Sequence, residues 1–562
     1  MNKSNRIIRE YLESLKEDSE LDALFPTLLS AMDFRIVSTP RNSKGQSQYG
    51  KDVVAIGKGD DGIIYRWYFE LKGNAAKDIT DANFNAPDGV RASIQAAKDT
   101  PYEDSGIPAF NHLPIKIVFV HNGLLHENTR SQYEGFIRRE FPEGGFERWD
   151  IEKLTHLIGE YLFDENLFVD DESSKLLKKI LVLLDAPGWR TKDVEKLVDM
   201  QLERCGNAAS KRVKKQIFAS LHLMLDMIYQ ACDENGNLLP AKRSSDVVVL
   251  KTWKWMLCHH VETKAWCDHL FEAIVLKHIQ IYVAYMNKLL PLARTYKGLY
   301  MPNGGETERV LYGVRCFDFL GDLIYLYDAM KSLNTPAVSQ PDLLREQRDC
   351  IIQVIRHNSG FDLPRLDTQS IPILMALRFM LTGGHTEEKD GICCVEWVQR
   401  MVINLNIYYR RTKMLPEVDG DTLEVAKSMY VKEKSYNNRS SLLLTHLAEI
   451  AAKTGDKNLY KLLYDLVRKS KVDLQVAYPV DSEDLEEKLF SHRLQKEMAV
   501  EVNIKMPKEM TEFDACFEKR YNHIPLRTER SKYRFLETLA HVYFRTDLFP
   551  DYIDFGHLKP KE

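Results

Sequence analysis

The chain has 562 residues, 44% of them hydrophobic and 28% charged, with a formal net charge of −5. That length exceeds one ordinary core, so two to four domains are expected, and the composition excludes a disordered or fibrous chain. The slightly negative total excludes a global basic footprint, so any contact with nucleic acid has to come from a local patch or cleft.

The nine cysteines are thinly spread, and none lies in the first 204 residues. This is no disulfide scaffold, and a reducing cytoplasm is the expected setting. No apolar run approaches the ~20 residues of a membrane span. The N-terminus enters a charged helix without an apolar h-region, so neither a membrane association nor a secretory leader is expected.

In chain order, Ile7, Ile8, Tyr11, Leu12, Leu15, Leu21, Leu24, Leu28 and Leu29 recur at three and four, which predicts a helix over 5–32 with a solvated kink at 16–20. A short strand is predicted at 34–38, then a polar loop over 39–47. Its segment Arg41-Asn-Ser-Lys-Gly-Gln46 offers basic side chains for a phosphate backbone, although an ordinary polar loop explains it better.

Residues 48–72 then read as a hairpin: an apolar run after Asp52, a Lys58-Gly-Asp-Asp-Gly62 turn, and an aromatic run ending Phe69-Glu-Leu-Lys72. Side chains alternate along a strand, so Tyr65, Trp67, Phe69 and Leu71 share one face, while Arg66, Tyr68, Glu70 and Lys72 share the other. Asp52 opens the partner strand. Two carboxylates and a lysine thus meet in one small volume. Carboxylate oxygens suit Mg²⁺ or Mn²⁺, and such an ion activates water and neutralises charge on a phosphate. Lys72 would orient or help deprotonate that water, or stabilise the transition state. The alternative is a sheet edge ending in solvated charges.

After a polar stretch to Gly89, a helix is predicted at 90–98, a buried strand at 115–120, a helix at 127–141, a strand at 146–149 and a helix at 151–162. The order implies an α/β domain with a mixed central sheet over 1–170. From there to 562 strand-like alternation largely disappears. Long amphipathic segments predict an all-helical regulatory or interaction region in one or two lobes, the break between two falling near 300 or 385.

The stretch Tyr49-Gly-Lys-Asp-Val-Val-Ala with Trp67-Tyr-Phe-Glu-Leu-Lys-Gly73 resembles the PD-(D/E)xK restriction-endonuclease-like nuclease superfamily, in its Mrr-like branch, over about residues 5–165. The resemblance implies a metal-dependent endonuclease in which Asp52, Glu70 and the backbone carbonyl of Leu71 hold the metal and Lys72 serves the water. A glutamine that follows in such domains would be Gln95. The implied substrate is DNA, with RNA an open alternative, and the implied setting is restriction or antiphage defence. Many relatives also carry a first-helix acid beside an aromatic residue. Here the matching point, Phe25-Pro26-Thr27, has none, which leaves Glu10, Glu13 or Glu17 as substitutes and the number of metals open. A partner protein on the helical region and a homodimer are further expectations. The competing reading is a catalytically silent nuclease-fold scaffold that binds nucleic acid or a partner subunit.

Three other features lie outside this set. Cys258-His-His260 with Cys267-Asp-His269 invites zinc, but the spacing is wrong for a zinc module and core cysteines with surface histidines explain it better. Basic clusters at 211–215, 408–413, 468–471 and 527–534, some beside tyrosines, could contact nucleic acid or be solvated helix faces. No phosphate-binding Gly-rich loop, dinucleotide fingerprint or nucleophile elbow is present, so a motor would have to come from another chain.

Overall fold

The computed structural model describes residues 8–9, 12–13, 21–39, 49–73, 77–162, 171–186, 188–206, 209–333, 340–381, 387–418, 438–479, 484–491, 499–513 and 526–545. The loop at 41–46, Glu10 and Glu17, the helical segment expected at 422–430, and Cys516 lie outside them.

The hairpin forms the middle of a five-stranded mixed sheet. Strands β1 (Arg35–Ser38), β2 (Val53–Lys58) and β3 (Ile64–Lys72) pair antiparallel in that order, whereas β4 (Ile115–His121) pairs parallel with β3 and β5 (Phe146–Trp149) parallel with β4. Gly62, at φ +85°, closes the turn, and Asp61 accepts from the Ile63 amide at 3.0 Å and the Tyr65 hydroxyl at 2.6 Å. A glycine takes positive φ without a Cβ clash, which fixes the turn and with it the register Val53↔Phe69.

The alternation along β3 sorts the two faces. Trp67 and Phe69 pack with Phe25, Phe34 and Trp149, with ring centroids 5.0 Å apart for Phe25–Phe69 and 5.5 Å for Phe69–Trp149. Phe25 belongs to helix α1 (Asp22–Ala31), which covers this side. On the opposite side Tyr68 packs with Val54, Ala97, Phe110 and Ile117. Phe119 joins a second cluster with Phe84, Ile94, Tyr133 and Phe136. Helices α2 (Asp81–Asn85), α3 (Val90–Asp99) and α4 (Glu127–Glu140) supply these residues. Burying both faces makes a three-layer α/β/α domain, closed by α5 (Ile151–Leu157), whose N-cap Asp150 accepts from two backbone amides.

Helix α2 falls inside the stretch read as merely polar. Thr80 and Asn83 bond each other's backbone amides, and Phe84 enters the core. Five residues are too few for a periodic signal, so the capping pair was its only sequence trace.

The chain divides into two compact units, Met1–Ile281 and Tyr282–Glu562. The sheet domain expected over 1–170 therefore shares the first unit with α6 (Asp171–Leu183), α7 (Lys192–Arg204), α8 (Lys211–Glu234) and α9 (Leu239–Cys258); the division falls within α10 (Ala265–Ala293). Lys215 of α8 pairs with Asp33 beside the sheet, and Gln216 donates to the Glu160 carbonyl at 2.9 Å. Two buried ion pairs lie in this helical part, Lys277–Asp226 at 2.6 Å, which joins α10 to α8, and Lys242–Asp246 at 3.2 Å, within α9.

The second unit is mostly helical: α11 (Glu308–Leu333), α12 (Gln340–His357), α13 (Ser370–Leu381), α14 (Glu388–Thr412), α15 (Leu442–Thr454), α16 (Lys457–Ser470), α17 (Leu485–Leu489) and α18 (Phe535–Phe544). The all-helical expectation for 171–562 is corrected here. A three-stranded sheet joins β6 (Ser440–Ser441), β7 (Asp473–Pro479) and β8 (Ala499–Ile504). Leu474 and Val476 are buried while Asp473 is exposed, a period of two over so few residues that charged neighbours mask it. No described helix is long and apolar enough to cross a membrane.

Candidate active site

The site lies at the end of β3, where the backbone geometry before β2 is unusual. Tyr49 and Gly50 both have positive φ, +49° and +71°. A Cβ on Gly50 would stand 2.1 Å from the Ser93 carbonyl oxygen. Glycine is therefore required for the chain to pass against α3, and this approach delivers Lys51 and Asp52 to the end of the hairpin.

Asp52 Oδ2 accepts from the Leu71 amide at 2.7 Å. Lys72 Nζ lies 3.0 Å from Glu70 Oε1. The sequence-predicted residues Asp52, Glu70 and Lys72 are thus brought together, and Leu71 joins them through its amide. Glu70 is only 5% exposed. Burial, and then the neighbouring Glu70 charge, push the Asp52 carboxyl up to about 8, against the pull of the Leu71 amide and Lys72. At neutral pH Asp52 holds a proton, and ionising it needs a cation or alkali.

Gln95 is not brought to this set. Its amide nitrogen donates to both Asp99 carboxylate oxygens at 3.0 Å, on its own helix. Lys98 is likewise engaged, by the carbonyl and carboxylate of Glu140. Helix α3 instead meets the site through Lys51, whose Nζ donates to the Tyr49 carbonyl at 2.9 Å and lies 3.4 Å from the Thr100 hydroxyl.

Sequence reasoning missed three residues around the set. Lys51 is 7% exposed. Burial draws its ammonium down to about 8, while Glu70 holds it up. Its signal was adjacency to Asp52. Asp22, in the first turn of α1, adds to the field that raises Asp52. It stands three residues before Phe25, one helical turn from the place where an acid was sought, while the candidate Glu13 pairs with Arg9 at 3.0 Å. His121 is opposite Lys72 across β3 and β4 and fully buried. Its Nδ1 donates to the Lys77 carbonyl at 2.8 Å, and burial draws it down to about 4, so the ring is neutral and Nε2 carries a lone pair without a hydrogen-bond partner. Only the parallel β3–β4 register places it there.

Among the described residues, no three His, Cys, Asp or Glu side chains converge as a metal cage. The two carboxylates fit a weaker, water-rich Mg²⁺ or Mn²⁺ site, since Mg²⁺ commonly takes one or two protein carboxylates and keeps several waters. Such a cation would also offset the cost of ionising Asp52 beside Glu70. The 258–269 cluster is no zinc site: His259 Nδ1 bonds the Trp255 carbonyl, and Cys258 is exposed while Cys267 is buried with its thiol pushed up.

No family model matches the chain, and no curated protein or solved structure is similar to it by the comparisons made.

Proposed function

We propose that the chain is a metal-dependent endonuclease of the restriction-endonuclease-like class, hydrolysing phosphodiester bonds of DNA, in a restriction or antiphage setting. The reading rests on the Asp52…Glu70-Leu-Lys72 resemblance. The single observation that carries it further is half-buried Asp52 beside buried Glu70, with Lys72 at 3.0 Å from Glu70. Like carboxylates kept out of water are costly to a fold and are concentrated at functional sites. Asp52 and Glu70 would hold Mg²⁺ or Mn²⁺, with Asp22 contributing to the negative field. When bound, the ion supplies Lewis acidity and lowers the pKa of water. Glu70 orients the Lys72 ammonium, which would bind a phosphate oxygen or position the attacking water.

A silent scaffold is the second reading. It is favoured by the engagement of Asp52 with the Leu71 amide and of Glu70 with Lys72, and by the absence of a third ligand among the described residues. Incubating the full chain with supercoiled plasmid and Mg²⁺ or Mn²⁺ decides between them. Nicking or linearisation by wild type and none by Lys72→Ala is expected. Cleavage that survives Lys72→Ala refutes the assignment; binding without cleavage at any metal concentration favours the scaffold.

A further inference from the structure

Two of the basic clusters are far apart in sequence but adjoin in the second unit. Helices α14 and α16 pack together, and the Tyr409 hydroxyl donates to the Lys469 carbonyl at 3.1 Å, which fixes their C-terminal ends side by side. Arg410, Arg411 and Lys413 from one end and Arg468, Lys469 and Lys471 from the other are all exposed. None of the six forms an ion pair with a described residue. Arg365 stacks over the Tyr408 ring at 4.6 Å, extending the cationic surface. The contrast with the other end of α14 is direct: Lys389 is held by Asp349 and Glu387, and the facing Arg345 by Glu387.

Cations in a last helical turn complement the helix dipole, and that favours some of these residues. It does not account for the arrangement. The dipole effect fades within one turn, whereas six like charges gathered without an ion pair to any described residue repel one another. Both helices, moreover, end on a lysine in the left-handed conformation, Lys413 at φ +58° and Lys471 at φ +57°. Glycine or asparagine suits that backbone better, so a cation is retained where the local geometry argues against it. In a chain of net charge −5 this is a confined positive surface.

We infer that the adjoining C-terminal ends of α14 and α16 bind double-stranded DNA through its phosphates. Charge complementarity selects a polyanion. The choice of DNA rests on the nuclease reading above. Half-buried Tyr408 and Tyr409 lie among the cations rather than presenting open faces, so backbone contact is favoured over base stacking.

The test is equilibrium binding of the full chain to a fluorescent duplex of roughly 20 bp in EDTA, titrated with salt. If six phosphates are neutralised, affinity falls about 10³-fold between ~50 and ~200 mM salt. Changing all six residues to Gln is expected to lower the slope of log K against log salt by about 5, and each triple variant by about half of that. A control, Lys457→Gln with Lys461→Gln at the other end of α16, is expected to bind as wild type. The triple variants and thermal melts separate lost contacts from a folding defect. Unchanged salt dependence in the six-fold variant, no duplex binding by wild type at ~50 mM salt, or tighter binding of duplex RNA or an acidic protein overturns the inference. The two proposals fail separately. Normal binding by the six-fold variant with cleavage still lost in Lys72→Ala removes only the surface. Patch-dependent binding without any cleavage removes only the nuclease.

Discussion

Replacing Asp52 by Asn is expected to stabilise the metal-free protein while removing the proposed plasmid cleavage. In the folded state burial and Glu70 hold the Asp52 carboxyl at about 8, against an ordinary 3.8. At pH 7 the unfolded chain releases this proton and the folded chain keeps it. Across that interval the difference amounts to roughly 4 kcal/mol against folding. The sign follows from linkage. Below the ordinary value both states are protonated and the penalty is absent. It grows as pH rises from about 4 and is complete near 8. Asparagine is nearly isosteric, cannot ionise, and still offers an oxygen to the Leu71 amide. Relaxation and the weaker neutral hydrogen bond reduce the gain to about 2–3 kcal/mol at pH 7. Urea denaturation in EDTA between pH 4 and pH 9 measures it. The variant is expected to match wild type near pH 4 and pull ahead as pH rises. Added Mg²⁺ is expected to narrow the gap by stabilising wild type alone. A difference that is independent of pH, or a variant less stable than wild type at pH 8, refutes the reasoning.

Lys51→Met is expected to stabilise the fold below pH 8, because burial draws Lys51 down to about 8 from 10.5 and the folded state carries that penalty wherever the lysine stays charged. The advantage fades as pH rises from about 8 toward 10.5, read by the same denaturation series extended to about pH 11. Gly50→Ala is expected to lose about 2 kcal/mol or more, since its Cβ meets the Ser93 carbonyl oxygen at 2.1 Å and φ is +71°; a melt within 1 °C of wild type contradicts the packing described. Of the eight described cysteines only Cys258 is exposed, so brief alkylation of the native protein followed by peptide mapping is expected to mark Cys258 ahead of the buried seven. Zinc protection of that thiol is the contrary result.

The sequence by itself determined the elements whose signal is local. The turn at 58–62, the alternation of Trp67 and Phe69 against Tyr68 and Glu70, and the three-to-four spacing of the long helices each follow from a few neighbouring residues. That sufficed to predict an N-terminal mixed sheet followed by helices and to place Asp52, Glu70 and Lys72 at one strand end. The small β6–β7–β8 sheet was hidden because β6 is only Ser440–Ser441 and β7 and β8 pair across a long insertion. Distance in sequence hid the rest. Asp22 lies 30 residues before Asp52, and His121 faces Lys72 across a parallel pair whose register no local pattern specifies. Gln95 occupied the position the resemblance implied in the order of elements, yet its side chain closes on Asp99 one helical turn away. The basic ends of α14 and α16 were each legible as charge. That they form one surface was decided only by helix packing, because a shared field depends on separation in space and not along the chain.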